Sequence, residues 1–374
     1  MTAERRVRSV LLGLTGMEVE GGMASVARCV ARVLDEDVRT GRLDRVDRVV
    51  LHDSEPTRVA PQHGVERLAG GNRTRFAWQV WRTYRRHRHD LVFFDLYGVA
   101  RVLELPLPGL PPPRTAIFTH YSEFVQGFGA LRGRVIERAG VLLANSEFSA
   151  GVLRDHLPHL ELPLRVVHLC IDPELERTWS LLGQPDPVAP REPHVVCAAR
   201  MSTTEGGRKG HDTLIEAWPA VVKAFPAARL TFAGRGDDAG RLEDKVRRLG
   251  VASSVRFSGY LDAEALSELY RRAAVYAMPS MQEGFGLVFA EAMWHGLPCI
   301  GTTADASGEV IVDGRTGLLV PFGDAGSVTG ALTRLLGDDE LRRRMGAAGF
   351  HRVRERFGYE RFRAGLRQAL DLDR

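Results

Sequence analysis

The sequence predicts an α/β protein built from two doubly wound, parallel-sheet domains. Three observations carry this reading. Short apolar runs alternate with amphipathic runs along most of the chain, the β-then-α order of a parallel sheet covered on both faces. A proline-rich stretch at 182–193 breaks the rhythm, which then restarts. The length of 374 residues exceeds an ordinary single domain and suits two.

In chain order, strands are expected at 7–14, 46–52, 91–95, 115–119, 141–145 and 164–169. Helical periodicity falls between them at 23–35, 74–87 and 147–156. Pro185, Pro187, Pro190 and Pro193 then forbid both kinds of element, which marks a linker. Beyond it, strands are expected at 194–199, 229–234, 255–258, 275–278, 299–302 and 317–319. Helices are expected at 210–224, 237–249, 262–273 and 287–295, with a wholly helical tail from Asp324. The expected domains are therefore 1–182 and 194–354, followed by a C-terminal segment, 355–374. Ligands of such sheets bind beyond the carboxyl ends of the strands, and a cleft between the halves is the expected substrate site.

Composition narrows the function. Lysine and arginine number 51 against 47 acidic residues, a formal charge of +4. That excess is modest for a nucleic-acid binder, and no helix-turn-helix, zinc-finger or RNP-like pattern occurs, so nucleic acid is not an expected partner. No apolar run approaches the roughly 20 residues of a membrane span. The densest basic stretch, Arg82 to Arg88, reads as the polar face of a helix, solvated or resting on an anionic membrane. Cys29, Cys170, Cys197 and Cys299 are scattered without a CxxC pair, as expected of reduced thiols in cytosol. The expected location is cytoplasmic, with peripheral contact at the inner membrane face as an open alternative.

The most informative segment runs from Pro279 to Pro298. Glu283 sits in a loop broken by Gly284 and Gly286, and Glu291 sits on the helix that follows. At 1.5 Å per residue, their spacing is up to ~12 Å along the axis, roughly the length of a folded nucleoside-diphosphate sugar. Unpaired backbone N–H groups at the helix start suit diphosphate or sugar oxygens. Upstream, Arg200 follows a strand end and Lys209 precedes a helix start. Two cations there would stabilise charge on a departing diphosphate. Only three lysines occur, at 209, 223 and 245, so a compact ammonium at this position stands out. In the first half, Gly21-Gly22 precedes a helix, where a glycine pair lets backbone N–H groups approach a phosphate.

The pattern E-G-F-G-L-x-x-x-E resembles the Glu-x7-Glu signature of the retaining glycosyltransferases of family 4. The resemblance is strong from Val195 to about Asp324 and weak over the first half. It implies the GT-B fold, two Rossmann-like domains facing a cleft, with the last helix crossing back onto the first domain. It implies that Arg200 and Lys209 hold the donor diphosphate, that Glu283 holds sugar hydroxyls and that Glu291 holds the ribose. Donor contacts are also implied at Gly234, Tyr260, Leu261, Gly284, Phe285, Gly286 and Leu287, and at Gly22 in the first half. The strand ending in His120 resembles the family's strand with a cleft histidine, which would orient the reacting groups. Two departures stand out. Gly308 replaces a usual proline, and Asp305-Ala306-Ser307 replaces a usual glycine pair.

No dedicated metal site is expected. The D-x-D spacings at Asp35–Asp37 and Asp371–Asp373 read as solvated charges. The expected activity is a retaining, metal-independent hexosyl transfer, without a cofactor, from a nucleotide sugar to a glycan, a lipid-linked or a small acceptor. The alternatives are a nucleotide-sugar epimerase or phosphorylase of the same fold, and a non-catalytic nucleotide-sugar-binding protein.

Overall fold

The structure, a computed structural model, describes residues 6–18, 21–56, 61, 63–104, 113–123, 135–136, 139–159, 161–183, 185–187, 191–203 and 208–373. The chain divides into two compact units, Met1–Asp172 with Tyr359–Arg374, and Pro173–Gly358. The loop expected at 201–208 lies outside the described residues at 204–207, and the proline-rich stretch does so at 184 and 188–190.

The first unit is built on seven parallel strands: β1 (Ser9–Leu14), β2 (Arg45–Val50), β3 (Glu66–Leu68), β4 (Leu91–Phe94), β5 (Thr115–Thr119), β6 (Val141–Ala144) and β7 (Leu164–Val166). Their order is β3-β2-β1-β4-β5-β6-β7. Central strands such as β4 are buried at every residue, which is why they read as unbroken apolar runs. The order reverses direction between β1 and β4, where Leu12 pairs with Phe93.

The second unit has six parallel strands: β8 (His194–Ala198), β9 (Arg229–Ala233), β10 (Val255–Gly259), β11 (Val275–Ala277), β12 (Cys299–Thr302) and β13 (Gly317–Val320). Their order is β10-β9-β8-β11-β12-β13. Here the reversal falls between β8 and β11, with Val195 paired to Val275. The expected α/β class with two Rossmann-like parallel sheets is the class observed.

Three elements differ from expectation. Strand β3 is only Glu-Arg-Leu, half-buried at a sheet edge, and carries no apolar run to announce it. The helix Pro173–Leu181 had no counterpart in the sequence reading. It belongs to the second unit because Trp179 is buried there, its ring 5.2 Å from that of Trp294 and its Nε1–H donating to the Ala263 carbonyl at 3.1 Å. The unit boundary thus falls before the proline-rich stretch. The tail is helical but not continuous, with Asp338 capping the helix Asp339–Arg356 by accepting from Leu341 N–H.

The last helix, Tyr359–Ala369, is part of the first unit. Arg367 pairs there with the buried Asp37, and Asp371 takes Arg114 at 2.8 Å and Arg165 at 3.1 Å. Asp35 pairs with Arg48, which is almost wholly buried. Asp35, Asp37 and Asp371 are therefore held in structural ion pairs and are not solvated charges, whereas Asp373 pairs with Arg367 but stays exposed. Arg367, the partner of Asp37, and Arg114 and Arg165, the partners of Asp371, lie far along the sequence, beyond what spacing alone can read.

Candidate active site

The candidate site of the second unit lies at the carboxyl ends of β8 and β11, the point where strand order reverses and ligands of open α/β sheets bind. After β8 the chain turns through Ala199 and Arg200. Ala199 N–H donates to Ala233 O at 2.9 Å, and Met201 N–H to Arg235 O at 3.0 Å, so this turn is zipped to the one following β9. Gly234, at φ +145°, belongs to that second turn, and a Cβ there would meet Ala199 O at 2.2 Å. Glycine is needed for the two turns to touch. Arg200 is exposed and makes no hydrogen bond or ion pair among the described residues. A bulge at the end of β10 carries the chain on to Tyr260, which is 42% exposed with the Arg235 guanidinium 4.6 Å over its ring. Leu261 follows, half-buried.

Lys209 precedes the helix His211–Ala224, whose N-cap is Gly210 at φ +76°. A Cβ on Gly210 would lie 2.2 Å from the Pro279 carbonyl oxygen. Met281 N–H donates to Arg208 O at 2.6 Å. These contacts set the lysine segment against the loop after β11, and Lys209 Nζ reaches Glu283 Oε2 at 2.6 Å. The sequence placed these two residues 74 positions apart in one site, and the structure joins them.

Glu283 leads into the helix Leu287–Trp294, which has Gly286 at φ +89° as N-cap, no side-chain cap and no acidic residue in its first turn. Its N-terminal partial positive charge is therefore not offset by a capping side chain. Gly284 and Leu287 flank this start, both half-buried. Phe285 is 1% exposed and packs edge-on against Phe357 with ring centroids 5.4 Å apart. Its side chain anchors the loop, leaving its backbone as the part able to meet a donor. Glu291 is half-buried and within electrostatic reach of Tyr270, whose phenol is pushed well above its usual range, first by burial and next by Glu291.

Sequence reasoning missed the carboxylate that organises this loop. Asp305 is buried; its Oδ2 accepts from Ser280 Oγ at 2.9 Å and Glu283 N–H at 3.0 Å, and its Oδ1 accepts from Ser307 N–H at 2.9 Å and Ser307 Oγ at 2.5 Å. Burial lifts its carboxyl above the ordinary range, and these hydrogen bonds oppose that. Its departure from the resembled family's glycine pair was the available signal.

In the first unit, His120 follows β5 and is buried, stacked on Phe118 at 5.3 Å. Its Nε2 lies 3.1 Å from the Asp95 carbonyl oxygen, which can only accept, so Nε2 carries the proton. Nδ1 is left as an acceptor facing Asn145 Nδ2 at 3.5 Å. Burial lowers the imidazole to about 4. Burial also lifts Asp95 to about 7, although its carboxylate accepts from Thr15 N–H at 2.9 Å. Burial likewise lifts Glu123 to about 8, although it accepts from the N–H groups of His120, Tyr97 and Gly98. Thr15, Leu51, Leu96, Tyr97, Arg73 and Arg101 help line a cavity of about 570 Å³ at these strand ends. Gly22 begins the helix Gly22–Arg39, with Gly21 as N-cap at φ +123° and no side-chain cap.

The basic stretch forms the helix Arg73–His87, with Asn72 as N-cap and Arg88 at its end. It buries Phe76, Val80, Thr83 and Tyr84 and exposes Trp78, Arg82, Arg85 and Arg86. His89, just beyond, is buried against Asp47 at 2.7 Å. Among the described residues, no group of three or more His, Cys, Asp or Glu is placed to hold a metal ion. No helix among them is long and apolar enough to cross a membrane.

Residues 192–338, which contain the β8/β11 site, match a family model described as glycosyl transferases group 1. More particularly, the chain is 39% identical over 150 residues to the phosphatidyl-myo-inositol mannosyltransferase of Mycobacterium leprae (strain TN), covering 39% of each chain. It is 34% identical over 166 residues to the GDP-mannose-dependent alpha-(1-6)-phosphatidylinositol monomannoside mannosyltransferase of Mycolicibacterium smegmatis (strain ATCC 700084 / mc(2)155), covering 42% of each. The matched stretch therefore spans less than half of either relative. Among solved structures, sucrose-phosphate synthase from Thermosynechococcus elongatus shares the fold, with a TM-score of 0.75 and 21% identity, covering 97% of this chain and 98% of that one.

Proposed function

We propose that this protein is a retaining, metal-independent glycosyltransferase that moves a hexosyl unit from a nucleoside-diphosphate sugar to the hydroxyl of a lipid-linked or other glycan acceptor. The observation that carries the reading is the Lys209–Glu283 pair at the strand-order reversal, beside an uncapped helix N-terminus. Diphosphate needs cations and N–H donors, and a sugar needs a carboxylate to accept from its hydroxyls. The activities named for these relatives support mannose as the sugar, GDP as the leaving group and a phosphatidylinositol-type acceptor.

In this mechanism the bond from the anomeric carbon to the phosphate oxygen breaks while the acceptor oxygen bonds to the same face. The acceptor proton passes to the departing phosphate. Lys209 and Arg200 stabilise the negative charge on that phosphate. Glu283 fixes the sugar and eases positive charge on the ring, Glu291 takes the ribose, and Tyr260 lies against the base. On the first unit, neutral His120 offers a lone pair at Nδ1 to a hydroxyl. The exposed Trp78 and its neighbouring arginines support peripheral docking on an anionic membrane.

The test incubates the pure protein with UDP-, GDP- and ADP-sugars, following melting temperature and turnover. GDP-mannose is expected to stabilise the fold and to be consumed when phosphatidylinositol vesicles are present. The product's anomeric configuration should match the donor's, and EDTA should leave the rate unchanged. Neither stabilisation nor turnover with any donor sinks the reading.

A further inference from the structure

We propose that Asp305 is the positioning residue that holds Glu283 ready for transfer, a role that rests on the transferase reading above. Two contacts on the Glu283 backbone establish the clamp. Asp305 Oδ2 accepts from the Glu283 N–H, and the Glu283 carbonyl in turn accepts from Ala306 N–H at 3.1 Å, so the Glu283 backbone is gripped on both sides. The same carboxylate is itself fixed by Ser280 and Ser307. On the other side of the loop, Met281 N–H is bound to Arg208 O, next to Lys209.

The loop has reason to need a clamp. Gln282, immediately before Glu283, stands at φ +74°, a left-handed conformation that residues with a side chain adopt only when their surroundings over-determine it. Lys209 pairs with Glu283, while Asp305 spends both oxygens on neutral donors of the loop. Its charge therefore serves geometry. An asparagine would keep the shape and lose the clamp, because its NH2 would face N–H or O–H donors on one side.

The experiment compares wild type with Asp305→Asn, Glu283→Gln and the double variant. Asp305→Asn is expected to lower kcat about tenfold or more with a much smaller change in donor KM, since an interaction made mainly in the transition state is loosened. In the Glu283→Gln background the same substitution should change kcat less than about twofold, because coupled residues are not additive. An equal loss in both backgrounds, or no loss in wild type, overturns the proposal. Hydrogen exchange of the 279–289 peptide gives a readout independent of activity, expected about tenfold faster in Asp305→Asn. An unchanged rate also overturns it. If Asp305→Asn does not fold, Ser280→Ala, which loosens the Oδ2 side alone, should speed exchange in the same peptide, and no change there is likewise fatal. Absence of turnover in wild type counts against the transferase reading alone, while the exchange result still judges Asp305.

Discussion

The two units end the same kind of sheet in opposite electrostatic styles. At the β8/β11 reversal the second unit presents an exposed guanidinium, a partly exposed ammonium–carboxylate pair and an uncapped helix start. The strand ends of the first unit hold a neutral histidine and two carboxyls whose burial favours their protonated form. Fixed charge suits a diphosphate, whose charge grows as it departs. The neutral, hydrogen-bonding groups around His120 suit a hydroxyl, which enters without carrying charge, while Arg73 and Arg101 line the cavity beside them.

Substitutions that change charge should therefore act on turnover in the second unit and on stability in the first. The largest effect is expected for Lys209→Ala, with kcat reduced about a thousandfold at an unchanged melting temperature. Glu283→Gln should also slow turnover, yet it should tighten GDP binding, because Lys209 is released from its partner. Asp47→Asn comes next and should cost the first unit about 3 kcal/mol by leaving a buried pair broken. Burial alone would raise Asp47, but His89, Arg45 and the Val65 N–H hold its carboxyl well below the usual range. That contribution is present above the unfolded carboxylate pKa of about 4 and is lost as pH falls below it, so urea melts of Asp47→Asn should show a weaker acid dependence.

Two glycines sharpen the contrast further. Gly210→Ala meets both a left-handed backbone and the Pro279 carbonyl, and is expected to cost about 1–3 kcal/mol together with donor affinity. Gly21→Ala meets the backbone penalty alone among the described residues, none of which beyond its chain neighbours lies within 4 Å of the added carbon, and thermal melts should show the smaller loss. Tyr260→Ala should raise donor KM about fivefold, the loss of one stacking surface. The smallest effect concerns pH. With His120 neutral down to about 4, His120→Asn should lower kcat without moving its pH profile between about 5 and 8.

The second unit's site was the more legible one because its parts sit in short contiguous segments. Glu283, Gly284 and Gly286 announce a loop entering a helix, and Arg200 and Lys209 flank a strand end and a helix start. Apolar runs located every strand of that sheet. What escaped was long-range and side-chain-specific. Asp305 acts on a backbone N–H 22 residues earlier, and Asp37 finds Arg367 at a separation of 330 residues. Neither leaves a periodic trace. Strand β3 is too short and too polar for pattern reading, and Trp179 betrayed its helix's allegiance only through packing. A motif read linearly also does not show that the Phe285 ring turns into the core, which leaves its backbone as the part on offer to a donor.

The central claim is that the β8/β11 strand ends of the second unit seat a nucleoside diphosphate through Arg200 and Lys209. Calorimetric titration of GDP into wild type and into the Arg200→Ala/Lys209→Ala variant tests it directly. The account expects wild type to bind and the variant to lose about a hundredfold in affinity, with a shallower salt dependence. Equal affinity in the two proteins at equal fold stability would contradict it.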